Sequence, residues 1–454
     1  MANPSQIPAH AVAVVGGATA GAEVAGELAE RGCVAVVFEQ NPRPFGKIED
    51  GLPRWHVQLR RKEYQTIGAK LTRPGVHFVP LTKVGRDVPL GAIASEWGFS
   101  AVVLANGAWR DRPLPVAGAE AYVGRGLVYQ NPFVIWFNHA NEAAYSGPVF
   151  EPMDGVIVVG GGLASIDVVK VLMLETTRGA LRERGIEAPM VELEVKGIPK
   201  LLASHGLRFE DLGLAGCTLF YRRRAEDMPL VEFPEGASPE RLEKMRGARA
   251  KLLEKAMEKY RFKVEVLAAP DGLVLEGDRL AGLRFRRTRM QDGKLVATDE
   301  TFERRGPYVV SSIGSIPEPL PGVPMKNELY EFVDWDVGRL AAYPTLFSAG
   351  NVVTGKGNIV ASRKHAEAVS EWVIERFLGL GEGGHDGEEA LADAAGATAR
   401  AQADEIAQGL APRPKLSPAE LSVLLARVGK RQRAVGYDGD YEAWMRKVTP
   451  PDLE

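Results

Sequence analysis

The sequence predicts an α/β protein made of two Rossmann-like nucleotide-binding domains, three-layered, with a helical C-terminal appendage. Three observations carry this expectation. Two β-branched runs each end in a glycine turn and open into an apolar-periodic helix: Val12-Ala-Val-Val-Gly16-Gly17-Ala18-Thr19-Ala20-Gly21 and Val156-Ile-Val-Val-Gly160-Gly161-Gly162-Leu163-Ala164-Ser165. Each helix is followed by a further β-rich run, as a βαβ unit requires. Beyond residue 381 a linker-like stretch gives way to alanine-rich sequence and a capping box, Ser417-Pro418-Ala-Glu420, that predicts a short helix to about Val428.

In the first unit, the strand feeds a tight turn. A pyrophosphate there would rest on the free N–H groups of the helix start, where the helix dipole favours negative charge. Gly16, Ala18, Ala20 and Gly21 are the expected contacts. The next strand, Cys33-Val-Ala-Val-Val-Phe38, ends in Glu39-Gln40. A carboxylate at that point accepts hydrogen bonds from a ribose 2′-OH and repels a 2′-phosphate, so FAD or NAD fits and NADP does not. The run Ala101-Val-Val-Leu-Ala105 closes in Asn106-Gly107, where a flavin unit's strand meets its cofactor.

The second unit runs from about Pro152 to Pro319, with Gly160, Gly162, Leu163 and Ala164 as its turn contacts. The stretch between Ser165 and Gly216 predicts two or three helices. Its second strand, Cys217-Thr-Leu-Phe-Tyr221, ends in Arg222-Arg223-Arg224. Guanidinium forks match phosphate oxygens, so this end fits the 2′-phosphate of NADPH. A solvated basic turn is the other reading. The contrast between Glu39 and the arginines assigns FAD to the first unit and NADP to the second. Two dinucleotides in one chain predict electron transfer between them. A late signal, Thr345-Leu-Phe-Ser-Ala-Gly350-Asn351 through Gly355-Lys-Gly357-Asn358-Ile359-Val360, belongs with the flavin side. The expected division is therefore 1–118 with 330–380 for FAD, 119–329 for NADPH, and 381–454 for the tail.

Composition narrows the classes further. The chain has 454 residues, 45% of them hydrophobic and 25% charged, with a net charge of −3, so nothing global suggests nucleic acid. No apolar run approaches the roughly 20 residues a membrane helix needs. No basic, apolar leader precedes the first strand, and the expected location is cytoplasmic. The two cysteines, Cys33 and Cys217, fall in separate predicted strands, which excludes a Cys-x-x-Cys redox pair and clustered thiolates for iron–sulfur ligation. The seven histidines have no metal-ligand spacing, so no metal is expected, and no Gly-x-Ser-x-Gly occurs.

Taken together, these motifs resemble the adrenodoxin-reductase type of ferredoxin–NADP reductase, a relative of the glutamate synthase small subunit. The likeness runs over most of residues 11–378. It rests on Pro42-Arg-Pro-Phe45-Gly46, Phe133-Val-Ile-Trp136-Phe137-Asn138, Tyr221-Arg-Arg-Arg-Ala-Glu-Asp-Met228-Pro229 and Gly350-Asn-Val-Val-Thr-Gly355. The resemblance implies a glutathione-reductase-like fold and electron flow from NADPH through FAD to a one-electron acceptor such as ferredoxin. It adds Gly46, Gly350, Asn351, Gly357, Asn358 and Ile359 to the cofactor contacts. It also implies a proton-relay or positioning role for His56, with Asp154 as its partner. Read by themselves, His56 is equally a surface histidine and Asp154 an ordinary acid before a strand. Three positions depart from the family pattern: Ala18 replaces its second glycine, Asn351 an aspartate or tryptophan, and Asn358 a glycine.

A ferredoxin-like acidic partner would need a local basic face. Arg241, Lys244, Arg246, Arg249, Lys251, Lys255 and Lys259 crowd one predicted helix, and Arg60, Arg61 and Lys62 cluster near His56. Glu243, Glu254 and Glu258 are interleaved, which equally describes a solvated helix face. Two other functions use the same pair of folds: an NADPH-dependent flavin monooxygenase or oxidase, and an electron-feeding subunit of a larger complex. The oligomeric state is left open.

Overall fold

The run Ala11–Val15 is buried along its whole length, as befits a strand covered by helices on both faces of a parallel sheet. In a computed structural model, described for residues 8–451 except 231–237, 336, 337, 342, 355–377 and 381–389, this strand is the centre of a five-stranded sheet. Val34–Phe38 and then Val76–Val79 lie on one side of it, and Ala101–Leu104 and then Leu346–Ser348 on the other, all parallel. The last of these strands returns from the far end of the chain. The helix Thr19–Glu30 buries Ala22, Val24, Ala25 and Leu28 against the sheet.

A second five-stranded parallel sheet repeats the pattern. Ile157–Gly160 is central, flanked by Thr218–Tyr221 and Lys263–Val266 on one side and by Val309–Ser312 and Leu127–Tyr129 on the other. Its crossover is long. Leu163–Arg182, Met190–Lys196 and Ile198–Ser204 are helical, matching the predicted helix-rich stretch. Cys33 and Cys217 each lie one residue before their strand rather than in it, and both are buried.

Between the fourth and fifth strands of the second unit lies a three-stranded antiparallel sheet, Ala268–Glu276, Arg279–Gln291 and Lys294–Arg305. The chain crosses between the two large sheets twice. The crossing segments pair antiparallel, Ser315 opposite Asp111 and Ile316 opposite Arg110.

The helical C-terminal appendage packs on the first unit and joins its core. The helix Ala390–Leu410 buries Ala399, Ala403 and Ile406 beside Ala22 and Val24, and Arg400 pairs with Glu23 at 3.0 Å. Ser417 opens the predicted capping box and Leu421, Leu424 and Val428 pack under Val36 and Val79, but the helix runs on to Ala434, where Arg431 donates to Thr82 Oγ1 at 2.9 Å and Gln432 to the Phe78 carbonyl at 2.8 Å. Trp444, on Tyr441–Val448, donates from Nε1 to the Pro42 carbonyl at 2.8 Å. Among the described residues, no helix is long and apolar enough to cross a membrane, and no cluster of His, Cys, Asp and Glu could hold a metal.

Candidate functional site

The two glycine turns lie at the carboxyl ends of the central strands of the two sheets, where parallel α/β folds place their ligands. At the first, Gly16 has φ of +103°, and a Cβ there would lie 2.5 Å from the Ala105 carbonyl oxygen. A Cβ on Gly21 would lie 1.9 Å from the Gly16 carbonyl oxygen. Both glycines are fixed by the backbone's own close approach. The helix start at Thr19 has Ala18 as its N-cap, with no side-chain cap and no acid in its first turn. Its N–H groups are thus left for an anion.

Around that turn the other predicted residues gather. Glu39 accepts from the Gly17 N–H and the Asn41 N–H, both at 2.8 Å. Burial pushes its carboxyl up to about 7, against the pull of those backbone N–H groups and that of Gln40. A Cβ on Gly46 would lie 2.8 Å from the Ala18 Cβ, and one on Gly350 would lie 2.7 Å from the Ala20 Cβ, so both glycines flank the turn closely. The Gly350 N–H donates to Gln402 Oε1 of the tail at 3.3 Å. Asn106 donates from Nδ2 to Tyr330 Oη at 3.3 Å, while its Oδ1 is buried with no hydrogen-bond partner among the described residues. Gly107 follows with φ of +68°. Asn351 begins a short helix, and Gly357, Asn358 and Ile359 lie outside the described residues.

The second turn has different reasons for its glycines. A Cβ on Gly160 would lie 2.4 Å from the Ser312 carbonyl oxygen, and one on Gly161 would lie 2.2 Å from the Tyr221 ring. At Gly162 a Cβ would meet nothing within 4 Å. Nothing in the protein's own packing asks for glycine there, and the space in front of it is open. Leu163 and Ala164 form the start of a 20-residue helix with no acid in its first turn. Arg222 and Arg223 are exposed at the end of the neighbouring strand, and neither pairs with a described carboxylate. Arg224 is spoken for: it holds Asp227 at 2.9 Å and Glu226 at 3.0 Å.

Several expected roles change. His56 is fully buried at the start of the helix Val57–Leu71, so it is not a surface histidine. Asp154 does not pair with it. Its two oxygens accept the Ala215 and Gly216 N–H groups at 2.7 Å, at the strand end opposite the glycine turn. It fixes the loop entering Thr218–Tyr221. Of the basic helix, Arg249 is buried and donates to the Glu226 carbonyl at 3.4 Å, and Lys259 donates to the Gly379 carbonyl. Arg60 is also buried, donating to the Tyr64 hydroxyl and the Glu49 carbonyl. These three are structural.

Sequence reasoning missed a buried polar group in the second unit. Lys170 and Glu194 pair at 2.7 Å with both side chains fully buried, and the Tyr260 hydroxyl donates to the same carboxylate at 2.6 Å. Lys170 also lies 4.7 Å from the Trp55 ring centre, which ties the segment before His56 to the second unit. The signal was a lysine inside the apolar run Val168-Val169-Lys170-Val171.

No family model matches the chain. The glutamate synthase [NADPH] small chain of Mycobacterium tuberculosis is 29% identical over 170 residues, 36% of this chain and 33% of that one. The same-named protein of Escherichia coli is 24% identical over 399 residues, 80% and 68% of the two chains. Cindoxin reductase of Citrobacter braakii is 30% identical over 166 residues, 36% and 34%. The match spans about a third of the length of the first and last of these relatives. Among solved structures, Mycobacterium tuberculosis FprA in complex with NADPH superposes with a TM-score of 0.63 at 18% identity, covering 94% of this chain and 91% of that one. That likeness establishes the fold.

Proposed function

We propose that this chain, which has the fold of the adrenodoxin-reductase-type two-domain flavoproteins, takes electrons from NADPH into FAD and delivers them to a one-electron acceptor. The single observation behind this reading is the pairing of two glycine turns whose neighbouring strands end in opposite charges. Glu39 follows the strand beside the first turn, and Arg222 and Arg223 follow the strand beside the second. In this reading 1–118 with 330–380 holds FAD, and 119–329 holds NADPH.

The residues fit both groups. For FAD, the uncapped helix start at Thr19 receives the pyrophosphate, and Glu39 retains lone pairs for ribose hydroxyls beyond the two N–H groups it already accepts. The orphaned Asn106 Oδ1 gains a polar neighbour. Ala18 leaves one methyl group beside Gly46, which narrows the approach without closing the turn. For NADPH, the open space before Gly162 admits the pyrophosphate, and Arg222 and Arg223 stand free for the 2′-phosphate, with Arg224 a minor contributor. The two cofactors supply the hydride chemistry; the protein's part is to hold them, orient them and keep water away. His56, buried beside the Trp55–Phe137 contact between the two units, is a positioning residue in this scheme.

The acceptor is read as a small acidic ferredoxin-like protein. Arg241, Lys244, Lys251 and Lys255 are exposed and share one stripe of their helix, and Arg61 is exposed near His56. Encounter through such a stripe is screened over about 10 Å at 0.1 M salt. Added salt should therefore slow ferredoxin reduction steeply and leave NADPH reduction of the bound flavin little changed at saturating NADPH. Lys244→Glu and Arg61→Glu should each raise the KM for ferredoxin with the NADPH half-reaction intact. Measuring both half-reactions over a salt series tests this. Indifference of the ferredoxin rate to salt and to both reversals would move the acceptor elsewhere, and rapid oxygen consumption would favour an oxidase.

A further inference from the structure

Lys47 is a charge that the account so far leaves unused. It follows Gly46, the glycine lying against Ala18, and starts the short helix Lys47–Asp50. Its ammonium reaches the place where the chain crosses between the two sheets. There it donates to Ser315 Oγ at 3.1 Å and to Asn131 Oδ1 at 3.4 Å, and it lies 5.4 Å from the centre of the Trp109 ring. All three partners are neutral.

The carboxylates that Lys47 feels are engaged elsewhere. Asp111 accepts the Asn131 backbone N–H at 3.2 and 3.3 Å, and Asp50 lies 2.9 Å from His139 Nε2. Lys47 forms no ion pair with a described residue. Its depth in the fold depresses its pKa to about 8, with Asp111 and Asp50 opposing that shift only through space. At neutral pH it is still mostly charged. The residue as a whole is half-buried, so it lies at the edge of the packed core rather than in its centre. A deep cation whose hydrogen-bond partners are all neutral is held at a cost that an approaching anion would relieve.

Lys47 stands next to the first glycine turn. Gly46 abuts that turn, and a Cβ on Gly107 would lie 3.5 Å from Nε1 of Trp109, the ring beside Lys47. Resting on the reading that the first turn holds FAD, we propose that Lys47 is the cation that compensates the negative charge the flavin ring acquires on reduction. The accounting closes with the two cofactors alone. A hydride carries two electrons and one proton from NADPH, leaving NADP+ and adding one net negative charge to a flavin that was neutral. A fixed ammonium in low-dielectric surroundings favours the charged form over the neutral one. Lys47 is thus a residue that sets the flavin's potential, while the glycine turn and Glu39 set its affinity.

The test compares wild type with Lys47→Met, Lys47→Gln and Lys47→Arg, measuring FAD affinity and the two-electron midpoint potential of the bound flavin. Lys47→Met and Lys47→Gln should bind oxidised FAD within about threefold of wild type and bind reduced FAD roughly 10- to 100-fold more weakly. Since tenfold in a two-electron couple is 29.6 mV, the potential should fall by about 30–60 mV. Lys47→Arg should recover most of that shift. Having two neutral variants keeps the test alive if one misfolds. Equal weakening of both redox forms would make Lys47 a pyrophosphate ligand and overturn the proposal, as would an unchanged potential in a flavin-loaded variant. A wild-type protein that takes up no flavin would instead sink the FAD assignment itself, a failure seen before any variant is made.

Discussion

Gly162→Val should leave the protein folded and its flavin in place while weakening NADPH binding roughly 10- to 100-fold. The backbone at Gly162 is extended, with φ of −93° and ψ of 177°, a conformation that valine adopts readily. A Cβ there touches nothing within 4 Å, so the side chain starts into open space. What the side chain fills is the space through which a pyrophosphate would approach the helix start at Leu163. Inserting bulk into an occupied site costs about 1–3 kcal/mol, and about 1.4 kcal/mol is a decade in affinity. Nucleotide titration would read the loss, with thermal melting as the control for folding. Unchanged NADPH affinity would mean that the nucleotide does not lie over this turn. The comparison glycines behave otherwise: a Cβ on Gly160 or Gly161 runs into Ser312 or Tyr221, so substitutions there act on the fold first.

The second large effect is one of discrimination. Arg222→Ala or Arg223→Ala should weaken NADPH binding by roughly 10- to 100-fold, because a hydrogen bond to a charged group is worth about 1.5–3 kcal/mol. NADH binding should hardly change, since it has no 2′-phosphate to lose. Arg224→Ala should do less to NADPH and more to stability, because Arg224 already holds Asp227 and Glu226. Affinities of the three variants for both nucleotides decide the matter. Equal losses for NADPH and NADH would assign the arginines to the pyrophosphate or to the fold.

The parts of this protein that could be read from sequence are those determined locally. A β-branched run, a glycine turn and an apolar helix follow one another within about twenty residues, so both turns and their strand partners were legible. The acid at Glu39 and the bases at Arg222–Arg224 were legible for the same reason. What escaped depends on tertiary context. Arg60 and Arg249 look like surface charges in sequence, but each has its aliphatic stem buried and its guanidinium on a backbone carbonyl. Asp154 stands before a nucleotide strand, as an acid in the family would, yet it is spent on the Ala215 and Gly216 N–H groups. The tail helices carry ordinary amphipathic patterns. Nothing in such a pattern says that Ile406 and Leu424 complete the core of a sheet begun some four hundred residues earlier, at Ala11. The antiparallel insertion at 268–305 was hidden because its strands are heavily charged on their exposed side, which weakens the apolar signal. Lys47 carried no signal either, since its meaning comes from Asn131 and Ser315, brought to it by the second unit.

The central claim is that one chain binds both cofactors and passes electrons from one to the other and outward. Anaerobic rapid mixing of the flavin-loaded protein with NADPH tests it most directly. The flavin's visible absorption should bleach with NADPH and far more slowly with NADH, persist reduced when air is admitted, and return on adding oxidised ferredoxin. A protein that neither carries nor takes up FAD, or whose bound flavin stays oxidised under saturating NADPH, would contradict the account.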